Sequence, residues 1–243
     1  MFWRKFRLDW SYAVGELVIV TLGVLVALGI NEWNNKRLER AEEIDVIVQI
    51  IADIESDLDH FESRLKAIEA KEDSLLRVKA ALSNGAPNDP KTYLRDVVIG
   101  ADFGWNQGLA QRATFDDLLG SGRLRIISDR EIRTGIAHYY RHYEDEHIRI
   151  EERETAYQGL SYQLVPRGYS LTEDGVVWER DIEADLSDEQ LDELVKAVHE
   201  SSIRSHVTAE INLAHFIKGI TTGTRGEATS LIVQLEKYLA EID

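Results

Sequence analysis

The chain has 243 residues, and its 28 Lys or Arg residues against 44 Asp or Glu residues give a formal net charge of −16 at pH 7. This acidic balance argues against a nucleic-acid-binding protein, whose phosphate contacts require Lys and Arg, and against a domain that lies flat on anionic lipid. The sequence contains no cysteine, which excludes disulfides, thiolate nucleophiles and Cys-ligated metal centres.

An apolar segment near the N-terminus has the length of a membrane span. Residues 12–30 read YAVGELVIVTLGVLVALGI and carry a single charge, at Glu16. As a helix they would extend about 28 Å, close to the hydrocarbon thickness of a bilayer. Trp10 and Tyr12 at one end and Trp33 at the other have the positions of interfacial aromatic anchors. We therefore predict a transmembrane helix over these residues.

The chain accordingly divides into a short N-terminal tail (1–11), a transmembrane helix (12–30) and an acidic helical bundle domain (31–243). A cleavable signal peptide is the alternative, since the small residues Ala27 and Gly29 would suit a cleavage site. We favour the uncleaved helix because the apolar run continues through this point without a polar cleavage region.

The orientation is predicted from the basic residues that flank the span. Three precede it and three follow it closely: Arg4, Lys5 and Arg7, then Lys36, Arg37 and Arg40. With the α-amino group added to the first set, the positive-inside rule slightly favours a cytoplasmic N-terminus. We expect a single-pass protein of the bacterial inner membrane, with the helical domain in the periplasm.

One face of the predicted membrane helix differs from the rest. At about 100° per residue, a single stripe contains Glu16, Val20, Gly23, Ala27, Ile30 and Asn34. Gly23 and Ala27 form a small-xxx-small pair that would let another helix approach closely, and a protonated Glu16 could hydrogen-bond across that contact. In the alternative interpretation, Glu16 reaches the headgroups by snorkelling and the glycines have no special role.

Beyond the span, the pattern predicts one long helix that continues into the aqueous phase. Apolar residues repeat there at steps of three and four: Ile44, Ile47, Ile51, Ile54, Leu58, Phe61, Leu65 and Ile68. This heptad seam weakens at Glu72, resumes at Leu75 and Leu82, and ends at a loop that contains Pro87 and Pro90.

Capping residues and breakers mark the later elements. Asp89 and Pro90 start one helix, Thr114 with Asp117 another, Ser128 with Glu131 a third over 129–164, and Ser187 with Gln190 a fourth. Residues 166–186 are expected to form a loop with a small hairpin, and a last helix covers 203–239 with an interruption near 219–226. The predicted fold is all-α: an antiparallel bundle in which long helices pack against the membrane-proximal one.

Two segments carry a resemblance to a known family. The first is the anchor, with the runs Tyr12-Ala-Val-Gly-Glu16, Gly23-Val-Leu-Val-Ala-Leu28 and Ile30-Asn-Glu-Trp-Asn34. The second is Thr114-Phe-Asp-Asp-Leu-Leu-Gly-Ser-Gly-Arg-Leu-Arg-Ile-Ile-Ser-Asp129. These stretches resemble uncharacterised bacterial single-pass membrane proteins of the Bacteroidetes type. The resemblance implies one N-terminal transmembrane helix and a helical domain. It implies no activity, although it gives weight to Glu16 and Trp33.

The titratable residues do not form a recognisable catalytic pattern. His138, His142 and the Glu144-x-x-His147 spacing suit a metal-binding bundle, but the three histidines span about half of the helix circumference and do not converge. Gly120-Ser121-Gly122 lacks the Lys-Ser/Thr of a phosphate loop, and there is no G-x-S-x-G motif. We predict no catalytic residue, no metal and no cofactor.

The sequence thus favours a non-enzymatic interaction protein, an accessory or structural subunit of a larger integral membrane complex, for example an energy-transducing one. The expected partners are the lipid bilayer and other membrane subunits, or a second copy that binds through the membrane helix and the heptad seam. Nucleic acid is not an expected partner. The alternatives are an extracytoplasmic ligand sensor that acts through a partner, and a metal-dependent enzyme that uses the His and acidic residues of 129–164.

Overall fold

The computed structural model describes residues 10–85, 87, 89–101, 110–151, 155–165 and 186–242. Its α-helices are α1 (Trp10–Asn84), α2 (Pro90–Ala101), α3 (Ala113–Gly120), α4 (Arg130–Glu151), α5 (Ala156–Leu164), α6 (Asp188–Glu200) and α7 (Ile203–Ile242). A 3-10 turn, Arg123–Ile126, follows α3, and the described residues contain no strand. The prediction of an all-α bundle is confirmed.

A single helix of 75 residues, α1, connects the apolar N-terminal segment to the bundle. At 1.5 Å per residue it is about 112 Å long. The prediction that the helix continues beyond the apolar segment without a break is confirmed. The helix ends where Gly85 adopts a φ of 94°, and the Gly85 N–H donates to the Ala81 carbonyl at 3.1 Å. A positive φ at the residue after a helix is the position that glycine fills at least cost.

The bundle is built around the second half of α1. Helix α7 runs antiparallel to it, as the pairs Glu43–Tyr238 and Lys71–Glu210 show. Helix α4 runs parallel to α1 and places Tyr139 against Asp57. At the far end, α2 is joined to α1 by two hydrogen bonds from Arg77 to Asp96, at 2.7 and 2.8 Å, and it packs with α5 and α6.

The bundle has two main apolar cores. The proximal core, nearer the exposed part of α1, contains among others Ile47, Ile54, Phe61, Ile136 and Leu235. The distal core contains among others Leu75, Leu82, Tyr157, Val198 and Ile203. Between them lies a small apolar cluster around Ile68 together with several buried polar residues.

The heptad seam was predicted correctly in only one of its two rows. The row Ile47, Ile54, Phe61, Ile68, Leu75 and Leu82 is buried as expected. The other expected row, Ile44, Ile51, Leu58 and Leu65, is only half-buried. The structure buries the residues one position earlier: Glu43, Ile50, Asp57, Arg64, Lys71 and Val78. The predicted weak point at Glu72 arises because the inward residue is Lys71, which has an acidic partner.

The predicted helix starts had mixed outcomes. Asp89 accepts from the Lys91 N–H and the Thr92 hydroxyl at the start of α2, and the Ser187–Gln190 capping box of α6 is present, so both predictions are confirmed. The Thr114 prediction was wrong, because α3 begins at Ala113 without a side-chain cap. The Ser128 prediction was also wrong, since Asp129 accepts from the first N–H groups of α4 instead.

The predicted helix lengths also need correction. The helix predicted over 129–164 is divided into α4 and α5, and the Thr155 hydroxyl caps the second piece. Conversely, α7 runs unbroken through its three glycines between 219 and 226 and reaches Ile242. Packing against α1 along its length outweighs the helix-breaking tendency of those glycines. The hairpin predicted near residue 174 lies outside the described residues.

Candidate functional site: the exposed half of α1 and the buried polar row

The predicted partner stripe lies on a part of α1 whose described side chains are exposed, apart from that of Asn34. Glu16, Gly23 and Ala27 are exposed, Val20 is 58% exposed, Ile30 is 61% exposed, and Asn34 is half-buried. A Cβ built at Gly23 meets no atom within 4 Å. The helix places these side chains on one face, as the spacing predicted, and within the part of the chain that the structure describes this face has no partner.

The apolar segment is a candidate membrane span. Among the described helices, α1 alone is both long enough and apolar enough to cross a membrane. Its most apolar 18-residue window has a mean hydropathy of 2.1. None of that window is buried inside the fold, so the segment is not a core helix of the bundle. Length and composition carry this assignment, and a signal sequence would pass the same test.

Of the three predicted interfacial anchors, only Trp33 has a side chain that the structure describes. Trp33 is 65% exposed, and the Arg37 guanidinium lies 5.9 Å from the centre of its ring, within the range of a cation–π contact. At Trp10 and Tyr12 the backbone is helical, but the side chains lie outside what the structure describes. An exposed tryptophan beside an arginine is the pair expected at the headgroup level.

An exposed stretch of α1 separates the apolar segment from the bundle. Residues 31–41 are exposed apart from the half-buried Asn34, and Lys36 pairs with Glu32 at 2.8 Å on the helix surface. The bundle begins at Glu42, which pairs with Arg123, and at the buried Glu43. Eleven helical residues would hold the bundle about 16 Å from the end of the apolar run.

Glu43 joins three elements at the proximal end of the bundle. Its carboxylate accepts from the Ser128 N–H at 2.6 Å, from the Ser128 hydroxyl at 3.0 Å and from the Tyr238 hydroxyl at 2.6 Å. Arg40 donates to it at 3.1 Å. Burial alone would raise the pKa of Glu43, but these donors outweigh it and lower the pKa. The charged carboxylate therefore fixes the start of α4 and the end of α7 to α1.

Asp57 has a similar role one level further along α1. It is fully buried and accepts from the Tyr139 hydroxyl at 2.7 Å and from the Gln111 N–H at 2.8 Å. Here burial is the stronger effect and raises the pKa of the carboxyl. Asp53, one turn earlier, accepts from the Thr114 N–H at 3.4 Å, the backbone group that a side-chain cap of α3 would have satisfied.

Lys71 and Glu210 form the most deeply buried ion pair among the described residues. Their charged atoms are 2.6 Å apart, and the two side chains are 1% and 2% exposed. Glu210 comes from α7, so the pair fixes the register of the two longest helices in the region between the two apolar cores. Outside this pair, Lys218 of α7 contacts both Glu69 and Glu72, and these carboxylates raise the pKa of its ammonium group.

A small cavity lies beside Arg64, between α1, α4 and α7. Its polar wall consists of Arg64, Tyr143, Glu146, His147, Thr221 and Thr224. The Thr221 hydroxyl is buried without a hydrogen-bond partner in the described structure, and burial raises the pKa of Tyr143, whose hydroxyl lies beside Arg64. The cavity has room for about one water molecule.

The histidines of α4 do not meet at one point. The rings of His138 and His142 stack at 5.9 Å, and the His142 Nε2 lies 3.7 Å from a Glu227 oxygen. His147 instead faces the cavity. Within the described ranges, no group of three or more His, Cys, Asp or Glu residues is placed to hold a metal ion. The arrangement supports ion pairing and packing.

The buried polar row of α1 was not predicted, although its signal is present in the sequence. Glu43, Asp57, Arg64 and Lys71 are separated by multiples of seven, so they lie on one line of a heptad helix. The neighbouring row, Ile44, Ile51, Leu58 and Leu65, is more apolar, and the prediction therefore placed that row in the seam. Periodicity alone could not show that each polar residue has a partner on another helix.

Comparisons with known proteins give no relative from which a function could be taken. No family model matches the chain. No curated protein and no solved structure matches it either. The resemblance in the anchor and in residues 114–129 therefore stays a prediction, and a function has to be inferred from the residues themselves.

Proposed function

We propose that this chain is a membrane-anchored, non-enzymatic interaction protein that serves as an accessory or structural subunit of a larger integral membrane assembly. Residues 12–30 cross the bilayer, and the stripe from Glu16 to Asn34 binds a helix of a partner. Following the flanking charges, the N-terminus is cytoplasmic and the bundle lies in the periplasm, on the inner membrane of a bacterium.

The observation that carries this proposal is the exposure of the first half of α1. Every side chain described from 14 to 30 is exposed, and most of them are aliphatic. Burying one such side chain is worth about 1.5–3 kcal/mol, so leaving this many in water would cost far more than a domain's net stability. Lipid or another apolar partner must cover the segment.

The stripe supports protein contact in addition to lipid contact. Gly23 and Ala27 leave space on the helix surface for a second backbone, and lipid tails gain little from such a groove. A carboxyl at Glu16 would be costly on a lipid-facing side but acceptable where it finds a hydrogen-bond partner. Because α1 continues unbroken into the bundle core, a partner bound at the stripe also fixes the orientation of the bundle.

The test uses native membranes and a matched pair of glycines. Gly23→Leu fills the stripe, whereas Gly29→Leu fills a different face, and neither glycine has a neighbour in the fold. Tagged full-length variants are purified with their bound proteins and analysed by mass spectrometry. We expect Gly23→Leu to lose a co-purified membrane protein or a second copy, and Gly29→Leu to retain it. Equal recovery from both variants, or recovery of the chain in the soluble fraction, contradicts the proposal.

The cavity beside Arg64 favours a second candidate function, a ligand sensor that acts through a partner. One buried hydroxyl, on Thr221, is available there to a small polar ligand. If the cavity is a binding site, thermal unfolding of the full-length protein in detergent shifts upward and saturates with a small ion such as ammonium or chloride. Thr221→Val then abolishes the shift. Absence of any saturable shift in the unmodified protein rejects this candidate.

A further inference from the structure

Helix α1 has a second heptad face beside the one that packs in its own bundle. With Ala41 and Val48 assigned to heptad position a, the buried row falls on positions c and g. The other face, which we name the outer seam, occupies positions a and d: Val20, Gly23, Ala27, Ile30, Asn34, Arg37, Ala41, Ile44, Val48 and Ile51. The outer seam thus joins the membrane stripe to the aqueous part of α1 in one register.

The aqueous part of the outer seam is apolar and open. Ala41 is exposed and Val48 is 49% exposed, whereas Ile44 is half-buried and Ile51 is half-buried against the edge of the proximal core. No lipid is expected at this distance from the span, so the membrane does not account for an apolar face here. The seam ends there because the next two a positions are exposed acids, Glu55 and Glu62, and Leu58 at the d position between them packs against the proximal core of its own bundle.

We propose that the outer seam forms a parallel two-stranded coiled coil with α1 of a second copy of this chain, from the membrane span to about Ile51. The proposal deepens the proposed function, since it rests on the membrane crossing and names a second copy as the partner. Two copies that cross a bilayer in the same direction can pair along this seam only in parallel. Asn34 falls on position a, where asparagines of the two strands bond to each other and set a parallel dimer in register.

Charge complementarity between the two copies supports this pairing. Arg40 is at position g and Asp45 at the following position e, and in a parallel coil the g residue of one strand faces that e residue of the other. The Arg40 side chain is 45% exposed beside Glu43, and Asp45 is exposed and accepts from Gln49 at 2.9 Å. Both side chains can therefore reach a neighbouring strand.

One residue of the outer seam departs from the pattern. Arg37 is the charged d residue between Val20 and Ile51, at the level where the helix leaves the membrane. Its guanidinium lies against the Trp33 ring, so its long side chain extends along the helix surface and leaves the seam centre open. The contact between copies is accordingly interrupted at this level and continues at Ala41.

The absence of cysteine in the sequence makes a direct test available. Single cysteines are introduced into the full-length chain at Ala41→Cys and Val48→Cys on the seam, and at Glu39→Cys on the opposite face. Native membranes are treated with a mild oxidant and the products are separated by size. We expect cross-linked dimers for the two seam variants and a much weaker product for Glu39→Cys. Equal cross-linking at all three positions, or none in membrane-bound protein, overturns the dimer.

A charge swap distinguishes a second copy from an unrelated partner. In the Val48→Cys background, Arg40→Glu and Asp45→Arg each place like charges at both g–e contacts, and we expect cross-linking to fall about fivefold. Co-expression of the two variants restores opposite charges at both contacts and should restore the mixed dimer, identified with two different tags. Failure of the mixture to recover overturns the pairing. Chain found in the soluble fraction would instead contradict the proposed function itself.

Discussion

The two halves of α1 are one helix in opposite surroundings. From Val14 to Ala41 the described side chains are exposed apart from that of Asn34, and most of those up to Ile30 are apolar. From Glu43 to Leu82 one face is buried, and that face includes four charged residues. The comparison teaches that apolar character did not decide which half the fold buries. Partners did: each buried charge with a described bond meets a donor or acceptor on another helix.

The largest effect expected from breaking this contrast is at the buried ion pair. Lys71→Met or Glu210→Leu leaves one charge buried without its partner, and we expect a loss of about 3–5 kcal/mol in the free energy of unfolding. The double variant replaces both charges by apolar side chains of similar size and should recover most of that loss. Chemical denaturation of the full-length protein in detergent measures the three values. A double variant no more stable than either single one would contradict the account of the pair as mutually compensating charges.

A slightly smaller effect separates the two halves directly. Val26→Arg places a charge in the candidate span, where insertion becomes less favourable by about 2.5–3.5 kcal/mol. Val78→Arg places the same charge on the face of α1 that is buried in the bundle, where Val78 is fully buried. We expect the first variant to shift from the membrane fraction to the soluble fraction while its bundle stays resistant to protease. The second should remain in the membrane but lose protease resistance.

If Val26→Arg leaves membrane attachment unchanged and Val78→Arg removes it, the assignment of the two halves is reversed.

The smallest expected effect is a difference in pH dependence between two carboxylates of the buried row. Donors lower the pKa of Glu43, so its stabilising contribution is present above the unfolded pKa and is lost as the pH falls through the folded pKa. Burial raises the pKa of Asp57, so its ionised form opposes folding and stability rises as the pH falls through that range. The contributions of the two carboxylates to the free energy of unfolding should therefore change with pH in opposite directions.

Unfolding free energies of the unmodified chain, Glu43→Gln and Asp57→Asn, measured between about pH 3 and pH 7, would show these slopes. The unfolding free energy of the unmodified chain minus that of Glu43→Gln should decrease as the pH falls. The corresponding difference for Asp57→Asn should increase. Differences that change in the same direction would mean that donors to Glu43 do not overcome its burial.

The sequence was sufficient for the helical fold and for the continuous α1, because heptad spacing, cap residues such as Asp89 and Ser187, and the apolar run are local signals. It was insufficient for the buried polar row. Asp57 is acceptable in the core only because Gln111 and Tyr139, distant in the sequence, meet it there. The predicted cap of α3 was wrong for the same reason, since the Thr114 N–H at its start donates to Asp53 of another helix.

The candidate site shows the same division. The stripe from Glu16 to Asn34 was predicted from angular position on a helix, a property that needs no tertiary contact. The cavity beside Arg64 was not, because its wall combines three helices whose relative rotation is set by packing. Residues that a helix places on one face can be found from spacing, whereas residues brought together by packing cannot.

The unbroken length of α1 also has a mechanical consequence. From Ile30 to the end of the helix at Asn84 the chain forms a rod of about 80 Å. Membrane helices are commonly inclined by about 20° to the bilayer normal, and such an inclination would carry the far tip sideways by roughly 28 Å. If residues 12–30 lie in a bilayer as proposed, a change of about 5° at the span would shift the far tip, with α2, α5 and α6, by roughly 7 Å, so the rod would act as a lever that pivots at the lipid surface.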